Sequence, residues 1–187
     1  MITGKFPALR LRRSRKNDWS RRLIEENNLT ANDFILPIFL IDGKNKRLPI
    51  NSMSGVYRYT LDKLGPIIDK AIHIGLPMIA LFPYTDKKKK NSYGTEALNE
   101  NNLVCKATQL IKKKYKNEIG IMCDVALDPY TIHGHDGLVN SGYVLNDETI
   151  EILVKQSLLR KEKYVLLIYQ MLVQQKIMKI EKRYFST

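Results

Sequence analysis

The sequence predicts an α/β fold built around a parallel sheet, and three observations carry that prediction. Residues 33–41, 76–82 and 119–125 are apolar runs of strand length. Nearly unbroken apolar character implies burial on both faces, as in a parallel sheet covered by helices. Segments with helical spacing separate these runs, and the strand–loop–helix unit recurs roughly every 40 residues, enough for right-handed crossovers. Three such units are visible, with a candidate fourth. Half a barrel and a short doubly wound sheet both fit that count.

Each element has its own local signal. Residues 1–32 read as an arm: an Arg-rich start followed by a short helix-compatible stretch around Asp18, Trp19 and Leu23. In the first strand, Ile35 to Ile41 are apolar, and Asp42-Gly43 ends the run. Pro37 inside it argues against a fully paired central position. Residues 43–59 read as a polar loop. Thr60 then caps a helix running to about Ile74, with Asp62 in its first turn and Gly75 at its end. Pro77 to Leu81 form the core of the second strand, and Pro83 stops it. Lysines 87–90 sit in a solvated loop. Leu103, Ala107, Leu110 and Ile111 mark a helix within residues 96–116. The third strand ends at Val125, and Asn146, Asp147 and Glu148 start a helix through Leu159.

Composition bounds the functional classes. The 187 residues suit one ordinary domain, and 44% apolar content is that of a globular chain. Arginines occupy the place of an apolar leader core, and the run 164–173 is about half the length of a membrane span. Cys105 and Cys123 have no metal-ligand or disulfide spacing, so a reducing cytosol is the expected compartment.

The formal charge of +12 is concentrated at the ends. Residues 1–22 hold eight Lys/Arg against one Asp, and residues 160–187 hold seven against two Glu. The body between them carries sixteen charges of each sign. A basic arm binds phosphate non-specifically, but it packs equally well on an acidic protein surface. Without aromatic interleaving, the pattern argues against a nucleic-acid protein.

One segment is dense in chemistry. Asp124, Asp128, His133, His135 and Asp136 fall within thirteen positions just after the third strand. Loops leaving the C-terminal ends of parallel strands build active sites, and carboxylates and imidazoles there hold cations or relay protons. A structural turn with Asp caps and glycines is the alternative reading of the same residues. His73, within a helix, reads as a packed or surface histidine.

This segment, Asp124-Val125-Ala126-Leu127-Asp128-Pro129-Tyr130-Thr131 followed by His133-Gly134-His135-Asp136-Gly137, resembles the delta-aminolevulinic acid dehydratase (porphobilinogen synthase) family. So do Arg10, Arg12 and Arg13 with Trp19-Ser20-Arg21, and Glu26-Asn27-Asn28-Leu29-Thr30 leading into Asp33-Phe34-Ile35 and Pro37-Ile38-Phe39. Ser52-Met53-Ser54-Gly55-Val56-Tyr57-Arg58-Tyr59, Ala80-Leu81-Phe82-Pro83 and Asn146-Asp147-Glu148-Thr149 extend the likeness across residues 8–159.

The resemblance implies the first half of a (β/α)8 barrel over residues 33–159, an oligomerisation arm over 1–32, and homo-octamers. It implies a cytoplasmic enzyme that condenses two 5-aminolevulinate molecules to porphobilinogen for heme synthesis. Asp124 matches an aspartate that contacts substrate and positions its amino group. Ala126, Asp128 and Asp136 stand where the zinc-using branch has three cysteines, and His135 matches a histidine at the edge of that site. Carboxylates favour Mg²⁺ or another hard cation over zinc, so the expected metal residues are Asp128, Asp136 and His135. Cys123, one residue before the motif, points to the opposite face of its strand and is expected in the core.

The likeness stops at Leu159. The family's two Schiff-base lysines lie in segments resembling Ser-Asp-Met-Met-Asp-Gly-Arg and Val-Lys-Pro, and the sequence contains neither. None of Lys161, Lys163, Lys176, Lys179 or Lys182 carries that role over. Residues 160–187 read as a divergent, frameshifted tail in which residues 165–168 offer a fourth strand. The chain is therefore expected to be inactive and unstable alone. A non-catalytic pseudo-subunit joined to intact homologues is the alternative.

Overall fold

The computed structural model describes residues 4–9, 12–161 and 166–169. The chain divides into two compact units, Met1–Thr30 and Ala31–Thr187. In the first, a helix α1 (Asp18–Leu23) carries Asp18 in its first turn and Arg21 and Arg22 in its last. That order suits the helix dipole, and Asp18 pairs with both arginines.

The second unit is built on a six-stranded sheet. Its strands are β1 (Ile35–Ile41), β2 (Arg47–Ile50), β3 (Met53–Tyr59), β4 (Met78–Tyr84), β5 (Gly120–Val125) and, with two short strands intervening in sequence, β8 (Leu166–Tyr169). The order is β2-β3-β1-β4-β5-β8, parallel throughout except for the β2–β3 hairpin. The short pair β6 (Val139–Asn140) and β7 (Tyr143–Val144) forms a separate hairpin after β5. Strands β1, β4, β5 and β8 thus follow one another in chain order and in space, which is barrel connectivity rather than a doubly wound sheet.

Helices α2 (Leu64–His73), α3 (Leu103–Tyr115) and α4 (Asn146–Lys161) alternate with these strands. Strand pleating sends alternate residues to opposite faces. Ile38 and Leu40 of β1, Ile79 and Leu81 of β4 and Ile121 and Cys123 of β5 are buried in one cluster with Leu64, Ile68 and Ala71 of α2 and Val104, Ala107 and Ile111 of α3. Cys123 is accordingly in the core. Leu127, Tyr130, Leu138 and Leu153 make a second cluster beneath the loop after β5.

Several sequence expectations need correction. Residues 43–59 are not a loop, because they contain the β2–β3 hairpin, in which Arg47 pairs with Tyr59 and Pro49 with Tyr57. Arg47 lies 3.7 Å from the centroid of the Tyr57 ring, a cross-strand contact that local polarity does not reveal. Thr60 makes no side-chain cap. Its hydroxyl bonds both Lys46 N–H and C=O, tying the hairpin base to the 3-10 turn Leu61–Lys63 that precedes α2. The segment 96–116 is a 3-10 turn (Thr95–Leu98) and then α3, which Asn102 caps by accepting the Cys105 N–H. Strand β4 runs through Pro83 rather than stopping there. The fourth strand expected over 165–168 is present as β8, with Met122 to Val125 in register with Leu166 to Tyr169, while residue 165 lies outside the described residues. Lys163, Lys176, Lys179 and Lys182 lie outside the described residues.

Candidate functional site

The register of the sheet sets out the site. Phe39 of β1 pairs with Phe82 of β4, and Leu81 pairs with Cys123, so Phe82 and Asp124 fall in the same row. Phe39, Phe82 and Asp124 lie on the face opposite the helices, at the C-terminal ends of their strands. The two Phe rings are 5.7 Å apart. With Arg58, Lys90, Asp128 and Tyr130 they line a cleft of about 300 Å³.

The loop after β5 is held by its own backbone and by α4. The Leu127 carbonyl accepts from the Tyr130 and Thr131 N–H groups. Gln156, fully buried on α4, donates to the Ala126 carbonyl at 3.2 Å. Thr149 accepts the Leu138 N–H at 2.9 Å and donates to the Leu145 carbonyl, closing the loop's far end. Asn91 and Thr131 form a parallel bridge, so the segment after residue 90 runs alongside this loop.

Asp128 is the most perturbed group. Burial pushes its carboxyl up to about 6, and the charges of Asp136 and Asp124 add to the rise, while Lys90 opposes it. Its Oδ1 is buried with no hydrogen-bond partner among the described residues. A carboxyl that exchanges its proton near pH 6, beside other carboxylates in a cleft, is suited to proton transfer.

The histidines are arranged differently from the sequence expectation. His133 and His135 are exposed, and each turns its Nδ1 into the loop: His133 accepts the His135 N–H at 3.1 Å, and His135 accepts the Gly137 N–H at 3.0 Å. These bonds hold a turn and use one of the two nitrogens on each ring. Asp128 and Asp136 are oxygen donors of the type a hard cation takes, but Ala126 has no donor atom. Among the described residues no three His, Cys, Asp or Glu side chains converge as a metal ligand set.

Two cleft residues, Arg58 and Lys90, are not singled out by sequence reasoning. Lys90 belongs to a run that reads as solvated surface, yet it follows the C-terminal end of β4, where site loops gather. The preceding turn, Lys87–Lys89, is capped by Asp86, and Lys89 pairs with Asp42 at 2.7 Å. His73 lies at the last position of α2, away from these groups in sequence and exposed.

Parallel strands in barrel order, with carboxylates and cations near their C-terminal ends, have the architecture of one half of a (β/α)8 barrel. Residues 8–163 match the family model of delta-aminolevulinic acid dehydratase, and the chain belongs to that family. It is 53% identical over 155 residues to the delta-aminolevulinic acid dehydratase of Bradyrhizobium diazoefficiens, covering 83% of this chain and 44% of the relative. The enzyme of Methanothermus sociabilis is 38% identical over 158 residues, covering 84% and 48%. The crystal structure of the Toxoplasma gondii porphobilinogen synthase with its product porphobilinogen superposes with a TM-score of 0.86 at 30% identity, covering 93% of this chain and 50% of that one. The chain spans about half the length of the relatives it matches. Among the described residues no helix is long and apolar enough to cross a membrane.

Proposed function

We propose that this chain supplies one wall of a porphobilinogen-forming site: it binds 5-aminolevulinate in the Asp124 cleft but does not complete the condensation alone. The overall reaction joins two 5-aminolevulinate molecules and expels two waters. The observation that carries the reading is the placement of Asp124 in a row with Phe39 and Phe82, in a cleft shared with Asp128. Asp124 offers a carboxyl to the substrate amine, and Asp128, its carboxyl pushed up to about 6, can hand a proton to departing hydroxide. The reading needs amine nucleophiles that attack the ketone carbon, and such lysines must be deprotonated in a dry pocket. The family segments that carry them do not occur in these 187 residues.

The test is pyrrole formation from 5-aminolevulinate by the purified chain, free of other dehydratase. The expected result is binding without product, and turnover by the chain alone contradicts the reading. A second reading, a non-catalytic subunit joined to intact homologues, is favoured by the first unit, where Trp19 is 63% and Leu23 79% exposed. Co-purification with a full-length homologue supports it, and loss of co-purification in Trp19→Ser with Leu23→Ser assigns the contact to the arm.

A further inference from the structure

Helix α4 grips the loop after β5 at both ends from one face. Thr149 holds Leu138, and Gln156 holds Ala126. The two residues are seven positions apart, two turns of helix, so they lie in one column on the side turned to the loop. The Ala126 end borders the cleft. Ala126 is buried and is the first residue past β5, beyond the last pairs with β4 (Leu81 with Cys123) and β8 (Val125 with Tyr169). A buried carbonyl there needs a donor, and the Gln156 side chain supplies it. Asp124 stands two residues before this anchor and Asp128 two after it, and both line the cleft. The next carbonyl, of Leu127, closes the turn onto Tyr130 and Thr131.

For packing alone, Gln156 is a costly residue. It is fully buried, and its Oε1 has no hydrogen-bond partner among the described residues. Leu153, one turn earlier, packs with Val125 and Leu127 in an apolar cluster. Apolar groups fill such a position without stranding a polar atom. What the amide adds is a fixed point for the backbone.

We propose that Gln156 is a positioning residue for the cleft, setting through the Ala126 carbonyl the course of the chain that carries Asp124 and Asp128. The assignment rests on the reading of this cleft as a 5-aminolevulinate site, and it places one determinant of the cleft's geometry on a helix rather than at a strand end.

The experiment is NMR on the 187-residue chain as wild type, Gln156→Met and Ser157→Ala. Met keeps the length of the side chain and removes the donor. It also removes the stranded Oε1, so the fold is expected to survive. Ser157 is the matched control, buried on the same helix with its hydroxyl donating to the Leu153 carbonyl. In the wild type the Gln156 side-chain amide is expected to be protected from solvent exchange, and rapid exchange overturns the proposal without any variant. Gln156→Met is expected to move the carboxyl carbon signals of Asp124 and Asp128 while leaving the amide signals of β1 and β4 in place. It is also expected to weaken 5-aminolevulinate about tenfold, the scale of one misdirected charge-assisted contact. Ser157→Ala is expected to change neither. Carboxyl signals that stay put in Gln156→Met, or that Ser157→Ala moves equally, overturn the proposal. So does loss of the folded spectrum in Gln156→Met, which makes the residue a folding determinant instead, or an unchanged affinity where the wild type binds. Binding by the wild type is scored apart: its absence contradicts the proposed function, and the carboxyl signals then decide the role of Gln156.

Discussion

Asp128 has a carboxyl that is half-buried, short of one hydrogen bond and close to two like charges, and stability follows from that. Its folded value of about 6 lies above the ordinary 3.8, so the folded state binds the proton more tightly than the unfolded chain. The resulting stabilisation is fully present below pH 3.8 and is lost as pH rises through about 6. Asp128→Asn removes that loss. It should be more stable than wild type above pH 6, by about 1 kcal/mol after discounting for solvent screening, and no more stable near pH 4. Urea titrations at the two pH values check this, and a gain that is equal at both contradicts it. Thr149 bears on the same loop by geometry rather than charge. Replacing it with Val strands the buried Leu138 N–H, which costs about 1–3 kcal/mol in the same titration.

At the scale of elements, apolar runs made three strands legible, because continuous burial leaves a compositional mark that local alternatives do not share. The prolines were misleading. Pro83 lies beyond the last β4–β5 pair, Leu81 with Cys123, and Pro37 lies where β1 pairs with β4 but not with β3. Both prolines stay in register in the β1–β4 ladder, Pro37 with Ala80 and Pro83 with Leu40, and lie outside the pairs made on the other side of their strands, so neither breaks its strand. The β2–β3 hairpin stayed hidden because its stabilising contact, Arg47 on Tyr57, joins residues ten apart that local polarity cannot relate. The site was legible where chemistry is dense, at Asp124 and Asp128. It was not legible at Lys90 and Arg58, whose place in the cleft depends on which strand ends meet. The start of α3 was misplaced because Asn102, rather than a residue of the preceding turn, is the cap. Asn102 is buried and also donates to the Glu96 carbonyl at 3.3 Å, linking turn and helix. Asn102→Ala should therefore cost about 1–2 kcal/mol, and Asn102→Asp should keep most of the cap. Equal losses in the two variants would place the effect outside capping.

On the scale of the molecule, the sheet of the second unit has one face packed on helices and one that no helix among the described residues covers. Along β1, Ile38 and Leu40 are fully buried while Ile35 is 42% exposed and Phe39 is partly exposed; on β4, Ile79 is buried while Tyr84 is 48% exposed. In a closed (β/α)8 barrel the second set fills the interior, and among the described residues it presents partly exposed apolar side chains of the kind that recruit other apolar groups. The two faces should respond oppositely to substitution. Ile79→Ala, on the helix side, removes buried contacts and should cost about 2–5 kcal/mol. Ile35→Ser, on the open side, should change stability by less than about 0.5 kcal/mol while lowering binding of a naphthalene sulfonate dye and concentration-dependent association in sedimentation velocity. The wild-type chain should bind the dye and unfold over a broad range, because half of its sheet surface contributes little to cooperative packing. A sharp transition without dye binding would mean that this face is covered in solution, and the cleft would then have to be reached through whatever covers it.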